Sequence, residues 1–186
     1  DWDWVMGVNY QAVLKGIQTF LPHMVEHGEE GHVLTTVSMA GLLPGAGTYG
    51  VSKHAVMALT EALSRDLITQ QTKINASVLC PGFVDTNIDK SERNRPSYLG
   101  DARETTNEIG AEIMSAMLRQ GKKPDEIAEI VLEAIKKNIF YILSHPAWDD
   151  SLRSHFDNIL SRKEIVPNSE EEMAKFFSPR EDGEKY

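Results

Sequence analysis

Cysteine is nearly missing from this sequence: Cys80 is the single one among 186 residues. One thiol cannot close an internal disulfide, so packing must hold the fold, and such cysteine usage suits a reducing, cytoplasmic setting. Cys80 ends the apolar run Val78-Leu79-Cys80, which favours an inert buried thiol over a nucleophile. Basic charge is short as well. Lys and Arg number 19 against 28 Asp and Glu, a net charge of −9. A nucleic-acid surface needs clustered basic residues, so the charge argues against that partner. No apolar run approaches the roughly 18 residues of a membrane span, so no membrane partner is expected. There is no repeat and no low-complexity segment. An initial methionine is also lacking, and the opening DWDWVMGVNY reads as the start of a helix. The expectation is a piece of a longer protein.

What is present suits one globular domain, with 41% hydrophobic and 25% charged residues. Asp1 to His27 reads as one helix, with Val5, Val8, Ala12, Val13, Gly16, Phe20 and Met24 at helical spacing and Gly28 as its stop. Gly31 to Ser38 and Lys73 to Cys80 read as strands rich in Val, Leu, Ile and Thr. Between them, Thr48 to about Gln70 reads as a long helix with a stripe of Val51, Ala55, Ala58, Leu59, Ala62 and Leu63. Pro124 to Asn138 is a further helix. Pro124 suits its first position, Asp125 and Glu126 its first turn, and Ile127, Ile130, Val131, Ala134 and Ile135 its stripe. Ile139 to Ser144 reads as a third strand. The alternation of strand and helix predicts an α/β fold with a parallel sheet. Residues 1–145 form the expected body of the domain. Residues 146–186 are expected to add a short helix at HFDNILSRK and a polar tail.

Chemistry concentrates in His32 to Lys53, HVLTTVSMAGLLPGAGTYGVSK. Ser38 falls at the carboxyl end of a strand, where open parallel sheets place their ligands. Tyr49 and Lys53 stand at i and i+4 on one helix face, eleven residues beyond the serine. A free phenol has a pKa of about 10, and each unit of lowering corresponds to about 1.4 kcal/mol. A neighbouring ammonium favours the phenolate, so Lys53 is expected to bring Tyr49 toward the range of a general acid/base. The Ser38 hydroxyl is placed to bond an oxygen on which charge develops. Such a trio suits hydride transfer between an alcohol and a nicotinamide. Of the tyrosines at Tyr10, Tyr49, Tyr98 and Tyr141, only Tyr49 has a lysine four residues on.

From Asp1 to about Ser144 the sequence resembles the catalytic half of the short-chain dehydrogenase/reductases. The matching residues are Asn9 in GVNYQAVLKG, Ser38 in TTVSMAG, Tyr49 and Lys53 in TYGVSK, and the loop LCPGFVDT from Leu79 to Thr86. The resemblance implies a Rossmann-like, doubly wound parallel sheet lacking its N-terminal dinucleotide-binding half. It implies NAD or NADP as cofactor and interconversion of a secondary alcohol and a ketone. It also implies roles. Tyr49 is the acid/base, Lys53 tunes it and holds the ribose, Ser38 orients the substrate oxygen, and Asn9 holds a relay water. Pro81 and Gly82 open a cofactor loop in which the Val84 backbone holds the carboxamide and Thr86 caps an amide or a phosphate. A homodimer or homotetramer is implied through the long helices, although the small residues Gly50, Ala55, Ala58 and Ala62 also suit packing on the sheet.

Other readings stay open beside these. Asn9 also fits a satisfied, buried asparagine. His23-Met24-Val25-Glu26-His27 spells H-x-x-E-H, a zinc-hydrolase arrangement without a third ligand at any telling spacing. Gly41-x-x-x-Gly45-x-Gly47 imitates a dinucleotide loop, but Leu79-Cys80-Pro81 stands where a ribose reader belongs, which makes it a decoy. Asp85 reads as a solvated loop charge. Residues 87–123 are polar and then amphipathic through Ile109, Ile113, Met114, Met117 and Leu118. They suit either a lid over an apolar substrate or a helix that only packs. A non-catalytic assembly subunit is the remaining alternative.

Overall fold

The computed structural model describes residues 1–100 and 108–164. The expected polar tail from Asn168 onward lies outside them, as does Asp101 to Asn107 of the polar stretch.

Three strands run parallel in the order β1 (Gly31–Thr36), β2 (Ile74–Leu79), β3 (Tyr141–Ile142). Gly31 pairs with Ile74 and Thr36 with Leu79. Val78 pairs with Tyr141. The ladder outlasts the strands: Val37 N–H reaches Leu79 O at 2.8 Å, Met39 N–H reaches Pro81 O at 2.9 Å, and Cys80 N–H reaches Ile142 O at 2.9 Å. These bonds hold the chain beyond β1 and β2 at the sheet's carboxyl rim.

Period-two alternation divides β2 between two faces. Ile74, Ala76, Val78 and Cys80 pack toward α2 (Ala12–Glu26) and α3 (Gly47–Thr69), with Val56, Met57, Leu63 and Leu67 from α3 and Val13, Ile17 and Leu21 from α2. Leu79 faces the other way, joining Ile142 and the α5 residues Ile127 and Ala134. Helix α5 spans Pro124–Lys136 and α4, before it, Glu108–Arg119. Helices on both faces of a parallel sheet make the architecture α/β and doubly wound. After β3, Trp148 and Leu152 from the start of α6 (Asp149–Leu160) pack against the first core.

Two departures from the sequence expectations matter. The first helix is interrupted. Helix α1 (Trp2–Met6) gives way to a π-helical turn at Gly7–Gln11, where Ala12 N–H bonds Gly7 O five residues back, before α2 begins. Such turns insert one residue into the helical repeat, and Asn9 sits in this one. The expected stripe of α3 is also displaced. Gly50, Ser52, Val56, Met57, Thr60, Leu63 and Leu67 are buried, while Val51, Ala58 and Ala62 are exposed. Polar residues enter the core because their hydroxyls bond back along the helix: Ser52 to Tyr49 O at 2.7 Å and Thr60 to Val56 O at 2.9 Å. No helix among the described residues is long and apolar enough to cross a membrane.

Candidate active site

Ser38 lies two residues past β1 in extended backbone, φ 161° and ψ 161°. Its Oγ accepts the Ala40 N–H at 3.2 Å, capping the short turn Met39–Gly41, and donates to Pro81 O at 3.5 Å. Glycine at 41 lets that turn lie against α3: a Cβ there would overlap Val37 Cγ1 and come within 2.9 Å of Lys53 O. The N-terminal turns of α3 are thereby pressed onto the end of β1.

That docking brings three side chains together. The Tyr49 phenol lies near enough to Ser38 for that hydroxyl to act on its ionisation. Lys53 Nζ donates to Thr36 O, the last carbonyl of β1, at 2.9 Å, and stands 5.6 Å from the centroid of the Tyr49 ring. A hydroxyl, a phenol and an ammonium meet at the carboxyl rim. The electrostatics differ from the expectation. Burial pushes the Tyr49 phenol above the ordinary tyrosine value, and the Ser38 hydroxyl opposes this. Burial also lowers the Lys53 ammonium below the usual lysine range, partly offset by the nearby Cys80 thiol. Lys53 is not among the groups that shift the Tyr49 phenol. Desolvation dominates, and Ser38 is the group that draws the phenol down. Cys80 itself is buried, its thiol raised to about 12, chiefly by that burial.

Asn9 approaches from the π-helical turn, and its Nδ2 donates to Ser52 Oγ at 3.0 Å. Ser52 in turn donates to Tyr49 O. Asn9 thus braces the backbone that carries the tyrosine.

The segment after β2 carries the expected cofactor residues Pro81, Gly82, Val84 and Thr86. Val84 forms an isolated parallel bridge with Lys122. The bonds run from Lys122 N–H to Phe83 O at 3.1 Å and from Asp85 N–H to Lys122 O at 2.9 Å. They engage the residues on either side of Val84. Its own N–H and C=O point to the opposite edge, an adjacent donor and acceptor of the kind a primary amide pairs with. Thr86 is half-buried, and its carbonyl accepts from Arg119 at 3.4 Å. Asp85 is a paired charge rather than a lone one. Its carboxylate bonds Lys123 Nζ at 2.6 Å and Arg119 at 2.9 Å, and these partners hold it below the usual carboxylate range. This pairing ties the loop to the end of α4 and the start of α5.

Several contributors escaped the sequence reading. Thr36 offers only a backbone carbonyl, which no side-chain pattern reveals. Ser52 lies between Tyr49 and Lys53 but reads as a polar surface residue. His145, three residues past β3, touches Gly82 and Phe83. The polar pair Ser144-His145 closing an apolar strand was the available signal. The zinc alternative finds no support in geometry: His23, Glu26 and His27 are exposed, and among the described residues no three His, Cys, Asp or Glu side chains gather. His27 Nδ1 accepts the Glu29 N–H at 3.1 Å.

Known proteins resemble this chain in sequence and in fold. The profile for short chain dehydrogenases matches residues 1–97. A CLA biosynthesis dehydrogenase/reductase of Lactiplantibacillus plantarum is 30% identical over 87% of this chain and 59% of its own length. A C alpha-dehydrogenase of Sphingobium sp. strain SYK-6 is 31% identical over 86% of this chain and 52% of its own. A crystal structure of a short chain dehydrogenase/reductase from Burkholderia phymatum in complex with NAD superposes with a TM-score of 0.85 at 38% identity, over 91% of this chain and 62% of that one. The chain thus spans between half and three-fifths of the length of these curated relatives. With a matching profile over more than half of its residues and the same Rossmann-type α/β architecture, the chain belongs to the short-chain dehydrogenase/reductase family.

Proposed function

We propose that this chain is the catalytic portion of an NAD(P)-dependent oxidoreductase that interconverts a secondary alcohol and a ketone. The observation that carries the reading is the meeting of Ser38, Tyr49 and Lys53 at the sheet's carboxyl rim. The bound nicotinamide supplies or accepts the hydride. The rest falls to the chain. Tyr49, with its phenol held protonated at neutral pH, donates a proton to the carbonyl oxygen during reduction. Ser38 bonds the same oxygen and positions it. Lys53 keeps N–H groups beyond the one given to Thr36 O, and these suit ribose hydroxyls beside the phenol. The free edge of Val84 suits a carboxamide. Asn9 acts through Ser52 on the backbone at Tyr49. A relay water held by Asn9, and assembly as a homodimer or homotetramer through the exposed faces of α2 and α3, complete the reading.

The test is carbonyl-dependent oxidation of NADH or NADPH by the protein as its gene encodes it, beside the variant Tyr49→Phe. Loss of about 10²–10⁴ in kcat with cofactor binding intact supports the proposal. A variant as active as the parent refutes it.

A further inference from the structure

His145 follows β3 and reaches the turn after β2 with both ring nitrogens. Gly82 N–H donates to Nδ1 at 3.0 Å, and Nε2 lies 2.9 Å from Phe83 O. An amide N–H only donates and a carbonyl only accepts, so Nδ1 is the bare nitrogen and Nε2 bears the hydrogen. The Ser144 hydroxyl, 3.0 Å from Nδ1, is a second donor to the same side. The ring's tautomer is fixed by its partners. Packing closes around the same point: a Cβ at Gly82 would stand 3.0 Å from His145 Cγ and 2.9 Å from Trp148 Nε1. Glycine at 82 lets an imidazole and an indole lie close against the backbone, and a larger residue would displace them. The Phe83 and Trp148 rings meet at 5.7 Å alongside.

Protonation would place a hydrogen on Nδ1, directly opposed to the Gly82 N–H. The serine hydroxyl can rotate to accept it; the amide cannot. The charged groups that bear on the ring are Lys122, ahead of α5, and Glu126, within its first turn, and they act in opposite senses. Burial of the ring dominates both and favours the neutral form.

We propose that His145 is a positioning residue that clamps the Pro81–Val84 turn while its imidazole is neutral and releases it on protonation, so that dinucleotide affinity falls on acidification. The clamp follows from the contacts above; its effect on the dinucleotide rests on the reading of this turn as the nicotinamide wall.

Two measurements on the protein as its gene encodes it test this. The first is nitrogen-15 spectroscopy of the imidazoles with the Gly82 amide followed across pH. The expected result is a bare Nδ1, an Nε2–H, and a Gly82 amide shift that tracks His145 as it titrates below the ordinary histidine value. An Nδ1–H tautomer, or a Gly82 amide indifferent to that titration, overturns the clamp, and neither needs a variant. The second is the Kd for NADH and NADPH by fluorescence. It is expected to rise roughly five- to tenfold through the same pH interval, the size of one lost hydrogen bond. His145→Asn keeps an acceptor oxygen near the place of Nδ1 and cannot be protonated, so its Kd stays flat with pH; persistence of the pH dependence in this variant overturns the proposal. A clamp that titrates as described while Kd stays flat in the parent overturns the effect on the dinucleotide and with it the assignment of the turn, leaving the histidine contact standing.

Discussion

Helices α5 and α3 bury themselves by different means. Helix α5 turns Ile127 and Ala134 into the core, with Ile130 and Val131 at its margin, and keeps its charges outside. Its polar groups serve its ends: Glu126 accepts the Lys123 N–H at 2.6 Å, and Asp125 and Glu126 lie in the first turn. Helix α3 buries Ser52 and Thr60 beside Val56 and Met57, and leaves Val51 half exposed and Ile68 72% exposed. Thr60 bonds both Val56 O and Thr35 Oγ1, each at 2.9 Å, so a hydroxyl pair links the helix to β1. The helix with a simple apolar stripe only supports the sheet. The helix whose polar residues are threaded into the core carries Tyr49 and Lys53 and holds them in register with Ser38. Apolar packing tolerates small shifts along an axis, whereas a hydrogen bond fixes azimuth and height together.

The contrast breaks if damage to the two helices has the same consequences. Tyr49→Phe on α3 is expected to cost about 10²–10⁴ in kcat and to leave the midpoint of thermal unfolding in place, because the ring stays and only its hydroxyl goes. Ile127→Ala on α5 should do the reverse. Removing a buried isoleucine side chain costs about 2–5 kcal/mol of stability, while the folded fraction retains its turnover. Calorimetry and steady-state kinetics on the same two variants decide it. An Ile127→Ala protein that folds well but has lost its chemistry would erase the division of labour.

A smaller effect sharpens the comparison within α3. Thr60→Val keeps the shape and removes one hydroxyl, leaving the buried Thr35 hydroxyl without the partner it has at 2.9 Å. A buried group left unsatisfied costs about 1–3 kcal/mol. Urea unfolding should place the loss in that range, and Thr35→Val added to Thr60→Val should recover part of it. Equal losses for the single and double variants would mean that the pair does not couple β1 to α3.

Ser38→Ala separates geometry from ionisation. The serine hydroxyl is what draws the Tyr49 phenol down against burial, so without it the phenol should ionise at still higher pH. Ultraviolet difference titration of the phenolate against Tyr49→Phe reads this directly. An unchanged or lower midpoint would show that Ser38 does not govern the phenol.

What could be read from the sequence follows the same divide. The three strands, α5, and the meeting of Ser38, Tyr49 and Lys53 were legible, because apolar period and fixed spacing encode them. The buried face of α3 was not. Ser52 and Thr60 count as surface residues in any apolar pattern, and only the back-bonds to Tyr49 O and Val56 O admit them to the core. The π-helical turn at Gly7–Gln11 was hidden for a related reason, since an extra residue in the repeat leaves every neighbour helical in preference. Desolvation of Tyr49 was invisible too: the i, i+4 spacing supplies an ammonium, but burial depends on α3 docking against the end of β1. Asp85 looked unpaired because Arg119 and Lys123 lie 34 and 38 residues away.

Asp85 carries the mildest expected effect and the most specific sign. Its carboxyl is held below the ordinary value, first by the hydrogen bond from Lys123 and then by that from Arg119. A group whose folded pKa is depressed adds stability that is complete above the unfolded value of about 3.9 and is lost as pH falls through the folded one. Asp85→Asn should therefore be slightly less stable than the parent at neutral pH, and the two should converge under acid. Because Arg119 and Lys123 are exposed, salt should narrow the gap at neutral pH as well. Thermal unfolding at neutral and acidic pH, in low and high salt, measures both trends. A gap that widens on acidification would mean that the loop after β2 is held by Val84, Lys122 and His145 alone, with the charges merely nearby.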